Sequence, residues 1–179
     1  MKKITMVIAC VILIIACNKN DDPDPSPSGG GNNNVIISVQ DSNFVLNAAM
    51  INYAEVRLAQ LAGTQTTDSM ILSFAMMVVN DQTMAQQQLQ SLADSLMISA
   101  PDSLDSVHVA IHSTLMTFSG HDFDSAYIHS QVTDYATAIS LFQTEITSGT
   151  NERIASYAKS KMPALQMHKN MADSIAARY

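Results

Sequence analysis

Four stretches of this chain repeat apolar side chains at alternating spacings of three and four residues over many turns, a pattern that only long amphipathic helices satisfy. From Asp41 to Gly63 the stripe holds Phe44, Ala48, Ile51, Leu58 and Ala62, with Asp41 or Ser42 placed to cap the start and Gly63 to end it. A second runs from Thr67/Asp68 to about Leu96 through Ile71, Phe74, Val78, Ala85 and Leu89, and Pro101 breaks the chain beyond it. A third spans about Asp124 to Ser148 with Ile128, Val132, Ile139, Phe142 and Ile146. The fourth starts near Asn151 and carries Ile154, Ala158, Leu165, Ala172 and Ile175.

Between the second and third stretches, a shorter helix from Asp102 to about Phe118 shows Leu104, Val107, Ile111, Leu115 and Phe118 on one face, and the turn Ser119-Gly120-His121 follows. Rising about 1.5 Å per residue, it is long enough to return along much of the bundle, so the second and third long helices run parallel. The expected fold is all-α: a ferritin-like four-helix bundle with a short crossover helix between helices 2 and 3. Composition agrees, since Trp is absent and only 14% of residues are charged, while Ala, Gln, Leu and Met favour helix.

Each apolar stripe is interrupted by polar residues: Glu55 in the first, Asp81 and Gln82 in the second, Tyr135 in the third and His168 in the fourth. If the bundle closes as expected, these five form an interior polar cluster. A buried carboxylate is costly without a partner, so Glu55 calls for His168, Tyr135 or a metal ion beside it. Pro163, one turn before His168, removes a backbone donor and is expected to kink the fourth helix.

Several segments together resemble a known family: Ala54-Glu55-Val56 with Leu58-Ala59-Gln60-Leu61-Ala62, then Phe74 to Asp81, Phe123-Asp124-Ser125-Ala126-Tyr127, and Met162-Pro163-Ala164-Leu165-Gln166-Met167-His168. They are similar to the exported bacterial family labelled domain of unknown function 4142. The resemblance covers about Asp41 to Ile175 and implies a ferritin-like bundle and export, with no settled activity. The family usually has histidines where this chain has Gln82 and Tyr135; of its polar positions Glu55 and His168 remain. Ferritin-like di-iron chemistry needs about four carboxylates and a pair of Glu-x-x-His motifs. This chain has no such motif, and its glutamates are Glu55, Glu145 and Glu152. Glu55, Asp81 and His168 are the weak candidates for a residual iron, zinc or copper site, against the simpler expectation of an interior hydrogen-bond network without cofactor.

The first 22 residues carry an address. Lys2 and Lys3 precede an apolar run from Ile4 to Ala16, too short to span a bilayer as a helix, and Cys17 closes it. Leu13-Ile14-Ile15-Ala16-Cys17 resembles a lipoprotein cleavage site, with Cys17 acylated; cutting at Cys10 leaves too short an apolar core. The expected organisation is a signal peptide (1–16), a lipidated cysteine and flexible tether (17–40) and a bundle domain (41–179). Residues 18–34 hold three prolines and three glycines and too little apolar surface to fold. Lys19 and Asp21-Asp22 resemble a surface-export signal, so the outer membrane is the expected location, facing the periplasm or the cell surface. The lipid anchor makes the membrane a partner. Without its leader lysines the chain has seven basic residues against sixteen acidic ones, which disfavours nucleic acid.

Three other patterns have plain structural explanations. Asp105, His108 and His112 recur on one side of the crossover helix, expected to be a solvated face that binds added metal only weakly. Met162, Met167 and Met171 bracket His168, where thioethers suit Cu(I) but more commonly fill a core. Asp-Ser-apolar triplets place Ser69, Ser95, Ser103, Ser106, Ser125 and Ser174 where an O-glycosylation system would modify them, although several also suit helix caps. No Gly-x-Ser-x-Gly or phosphate-binding loop occurs. The chain therefore reads as a lipid-anchored envelope module for binding or structure, with an envelope protein partner unspecified, rather than an enzyme; metal-dependent iron or peroxide handling is the alternative.

Overall fold

The computed structural model describes residues 37–179, so the leader, Cys17 and nearly all of the tether lie outside the described residues. Five helices follow in order: α1 Val39–Gln65, α2 Ser69–Ser95, α3 Ser106–Leu115, α4 Gly120–Ser148 and α5 Glu152–Ala176. The long helices α1, α2, α4 and α5 make the bundle and α3 is the crossover.

Side-chain contacts fix the directions. Phe44 near the start of α1 meets Phe142 near the end of α4 edge-on, with ring centroids 4.9 Å apart. Phe74 near the start of α2 packs on Tyr127 near the start of α4 at 6.4 Å. Thus α2 and α4 run parallel, the arrangement a single long crossover produces. The Tyr157 hydroxyl of α5 donates to the Ala85 carbonyl of α2 at 3.1 Å and accepts from the Asn52 amide of α1 at 3.3 Å, pinning three helices together. The expected α1 stripe is buried in full, from Phe44 through Leu58 to Ala62. Burying each large apolar side chain contributes about 1.5–3 kcal/mol, so these stripes supply the main driving force.

Helix boundaries follow local capping, and here the sequence reading needs correction. The cap of α1 is Ser38, whose side chain accepts from the Asp41 backbone while the Asp41 carboxylate accepts from the Ser38 N–H, so Asp41 is the third residue of a capping box rather than the cap. Gly63 does not end α1, which continues to Gln65 because nothing at Gly63 forces a left-handed turn. The crossover helix is shorter than expected: Asp105 caps it at Ser106 by accepting from the His108 N–H, and the segment around Pro101 stays irregular. Gly120 opens α4 with φ of +56°, a conformation glycine adopts without strain. In α5, helix continues unbroken through Pro163.

Asp41 has a second task. Besides Ser38 it accepts from the Thr150 N–H at 2.9 Å, the Thr150 hydroxyl at 2.6 Å and the Asn151 N–H at 3.1 Å, bolting the start of α1 to the α4–α5 turn. Burial pushes its carboxyl up, but these hydrogen bonds from Thr150, Ser38 and Asn151 outweigh that and hold it far below the usual range. Glu145 lies beside it: burial, with Asp41 adding to it against an opposing Gln40 hydrogen bond, pushes Glu145 up to about 7. Gly149 is required here because any β-carbon would collide with the Glu145 carboxyl.

Two outcomes follow. A group with a depressed folded-state pKa contributes stability above its unfolded value and loses it as pH falls below that value. Asp41→Asn is therefore expected to cost about 2–3 kcal/mol in urea unfolding at pH 7, with the gap from wild type closing as pH drops below about 3.8. After α2, Met97 sits at φ 58° and 95% exposed, in a turn where the Ile98 N–H bonds Ala93 O and the Met97 N–H bonds Asp94 O. That is the left-handed helix terminus glycine prefers, so Met97→Gly should raise stability by about 0.5–1 kcal/mol in the same assay.

Candidate functional site

Glu55 lies midway along α1 and is fully buried. Opposite it, α4 presents Tyr127, Gln131 and Tyr135 four residues apart, so their polar ends stack one turn above another along one face. All three are fully buried. Neither Glu55 oxygen has a hydrogen-bond partner among the described residues, and the same holds for the Tyr127 and Tyr135 hydroxyls and the Gln131 amide. Burial, with Asp134 nearby adding negative charge, drives the Glu55 carboxyl well above the ordinary range; Tyr135 and Gln131 oppose the shift without cancelling it. Burial raises the Tyr135 and Tyr127 hydroxyls too, and the proximity of Glu55 raises them further. All of these groups are therefore held in their neutral forms.

Tyr135 links this ladder to a second part of the cluster. Gln82 of α2, buried, faces the Tyr135 hydroxyl. The His168 ring of α5 meets the Tyr135 ring edge-on at 5.3 Å. His168 Nε2 lies 3.0 Å from Asp81 Oδ2, and the imidazole is 1% exposed while the Asp81 side chain is 37% exposed. Burial lowers the His168 pKa more than Asp81 raises it. A neutral imidazole beside a carboxylate donates through Nε2, which leaves Nδ1 as a lone-pair acceptor; that atom is buried and unpartnered. Structure thus places Glu55, Gln82, Tyr135 and His168 inside and Asp81 at the rim. Glu55 does not meet His168; its polar neighbours are Tyr135 and Gln131. Among the described residues, no three His, Cys, Asp or Glu side chains converge closely enough to hold a metal ion.

A cavity of about 210 Å³ opens beside this cluster, walled by Asn52, Asp81, Gln82, Tyr157, Lys161 and His168. Lys161 Nζ donates to the Gln88 side chain and lies 5.7 Å from the Tyr157 ring centroid. The cavity combines one cation, one carboxylate and neutral donors and acceptors, and so can receive a small polar molecule. It is below the size of a drug-like pocket.

The crossover helix corrects another expectation. Val107 is 63% exposed, whereas His108 is buried with Leu115 against the bundle. The Asp105 cap sets the start of α3 and so its rotation, which turns His108 inward. His108 Nδ1 lies 2.8 Å from Asp105 Oδ2, and its Nε2 lies 3.9 Å from Asp134 Oδ1 of α4. Around His168, Met162 is buried but Met167 is 44% exposed, so the methionines do not close on the imidazole together. Ser69, Ser95, Ser103, Ser106 and Ser174 are exposed and Ser125 is half-buried. Of these, Ser103 lies in irregular backbone.

Tyr127, Gln131 and Asp134 were not singled out from sequence. The signal was present for two of them: counting back from Tyr135 in fours gives Gln131 and Tyr127, the same face of α4. Asp134 gave none, because its partner sits on a separate helix.

The profile of the family described as "Domain of unknown function (DUF4142)" matches residues 27–175. Among solved structures, the chain is similar to the crystal structure of a DUF305 fragment from Deinococcus radiodurans, with a TM-score of 0.71, 10% identity, and coverage of 80% of this chain and 99% of that one. At that identity the likeness concerns the fold alone. No curated protein matches the chain.

An acid whose folded-state pKa is raised weakens the fold progressively as pH rises from its unfolded value toward the folded one. Replacing Glu55 by Gln removes that penalty. Glu55→Gln should be more stable than wild type at pH 8, by on the order of 1 kcal/mol, and equal to it at pH 4, read from urea unfolding at both values.

Proposed function

The chain belongs to the DUF4142 family, and from that premise we propose that it is a lipid-anchored cell-envelope protein whose bundle binds a small polar ligand rather than performing catalysis. The observation that carries the binding reading is the 210 Å³ cavity whose wall contains the Asp81–His168 pair and Lys161. A ligand offering a hydrogen-bond donor to the Asp81 carboxylate and a negative group to Lys161 matches the wall. The cavity walls supply no activated nucleophile, and Glu55, whose carboxyl burial drives well above the ordinary range, does not line the cavity. A proton donor with no path to a substrate serves structure.

Anchoring is supported by the Leu13–Cys17 signature and the polar tether after it. No helix among the described residues is long and apolar enough to cross a membrane. Two or three acyl chains on Cys17 hold a domain at a bilayer without a spanning segment. The outer membrane is the proposed site, with the bundle facing the periplasm or the surface, and Ser103 is the proposed glycan acceptor that lies exposed in irregular backbone.

Labelled palmitate should enter the wild-type protein and not Cys17→Ala, and the variant should leave the membrane fraction. For binding, a fragment library of small carboxylates and amides screened by amide NMR should perturb Gln82, Lys161 and His168 together, with the response lost in His168→Ala. Perturbations scattered over the surface, or none, contradict a ligand site in this cavity.

A further inference from the structure

We propose that His108 Nε2 and the Asp134 carboxylate form a binding site for a divalent transition-metal ion of zinc's class, with Asp105 as the residue that holds His108 in the ligating tautomer. His108 comes from α3 and Asp134 from α4, so the ion staples the crossover helix to the bundle.

The geometry is that of a histidine ligand with its outer support in place. Asp105 Oδ2 lies 2.8 Å from His108 Nδ1 and accepts its hydrogen. The Asp105 position is itself fixed, because the same carboxylate caps α3 through the His108 N–H at 2.9 Å. With the proton on Nδ1, Nε2 presents a lone pair. It faces another acceptor, Asp134 Oδ1, at 3.9 Å. Two acceptors at that distance share no proton, and a cation between them satisfies both. Metal–ligand distances of about 2.0–2.2 Å on each side place tetrahedral donors about 3.3–3.5 Å apart, a small side-chain rotation from the observed spacing.

Asp134 points to an ion in a second way. Its side chain is 12% exposed, and its Oδ2 is buried without a hydrogen-bond partner among the described residues. A buried carboxylate oxygen left unpaired is costly unless a cation or donor reaches it. The groove over these residues measures about 350 Å³ and is walled by Asn47, Thr133 and Thr137, which can hydrogen-bond waters completing the ion's coordination. Imidazole with carboxylate suits zinc rather than calcium or magnesium, which prefer all-oxygen sites. With two protein ligands the site is weak and exchangeable, which distinguishes it from a closed structural zinc.

The test is thermal unfolding of the intact bundle with excess ZnCl2, alongside His108→Ala, Asp134→Asn, Asp105→Asn and His112→Ala. Zinc should raise Tm of the wild type by mass action. His108→Ala and Asp134→Asn should lose the response, Asp105→Asn should weaken apparent affinity about 10–100-fold, and His112→Ala should behave as wild type. Direct observation in the unmutated protein guards against variants that fold poorly: zinc should shift the His108 Nε2 resonance before those of the exposed histidines His121 and His129. A zinc response that survives in His108→Ala, a first shift at the exposed histidines, or no response in the wild type overturns the proposal.

Discussion

Glu55 is buried at the centre of α1 with no hydrogen-bond or ion-pair partner among the described residues, and the other three long helices pack around it. A charged carboxylate there would cost far more than the fold can supply, so the position is tolerated only in its protonated form. The neighbours are chosen accordingly: two phenols and an amide from one face of α4, a second amide from α2, and an imidazole that burial keeps uncharged. The one clear charge in the cluster, Asp81, is placed at the rim where water reaches it. Polarity is thus graded outward from a neutral centre to a solvated edge. The edge is where the cavity opens.

That grading differs from the ligand set of a di-iron site. Di-iron sites gather several carboxylates and imidazoles whose charge the metal offsets. Here the buried groups around Glu55 are phenols and amides, and among the described residues no three His, Cys, Asp or Glu side chains gather there. The chain keeps a helical-bundle architecture while filling the middle with neutral polar groups. The Asp41 anchor at one end shows the opposite solution to the same problem. There a carboxylate stays charged because five donors converge on it, and its neighbour Glu145 is pushed up partly in response.

Much of the architecture was legible because the apolar stripes alone dictate long helices, and the crossover follows from the short segment between the second and third of them. Burial of Glu55, Gln82, Tyr135 and His168 was readable for the same reason, as each sits in register with leucines and isoleucines that must face inward. The details that failed were those set by single contacts. Whether Ser38 or Asp41 caps α1 depends on which side chain reaches which N–H, and spacing carries no such information. The rotation of α3 was misread because its apolar residues are spread around the helix; the Asp105 cap, not hydrophobicity, turns His108 inward. The pairing of His108 with Asp134 depends on how two helices meet and has no signature along either one. Residues 1–36, where the lipidation and tether readings fall, lie outside the described part of the chain.

The most direct measurement of the central claim is a carbon NMR titration of glutamate side-chain carboxyls in the full bundle, which is tractable because the sequence contains only three glutamates. A resonance assigned to Glu55 by its loss in a Gln variant should keep the chemical shift of a protonated carboxyl from acid pH through neutrality. A Glu55 resonance that titrates with an ordinary carboxylate midpoint would mean that charge and water reach the middle of the bundle, contradicting the neutral interior on which this account rests.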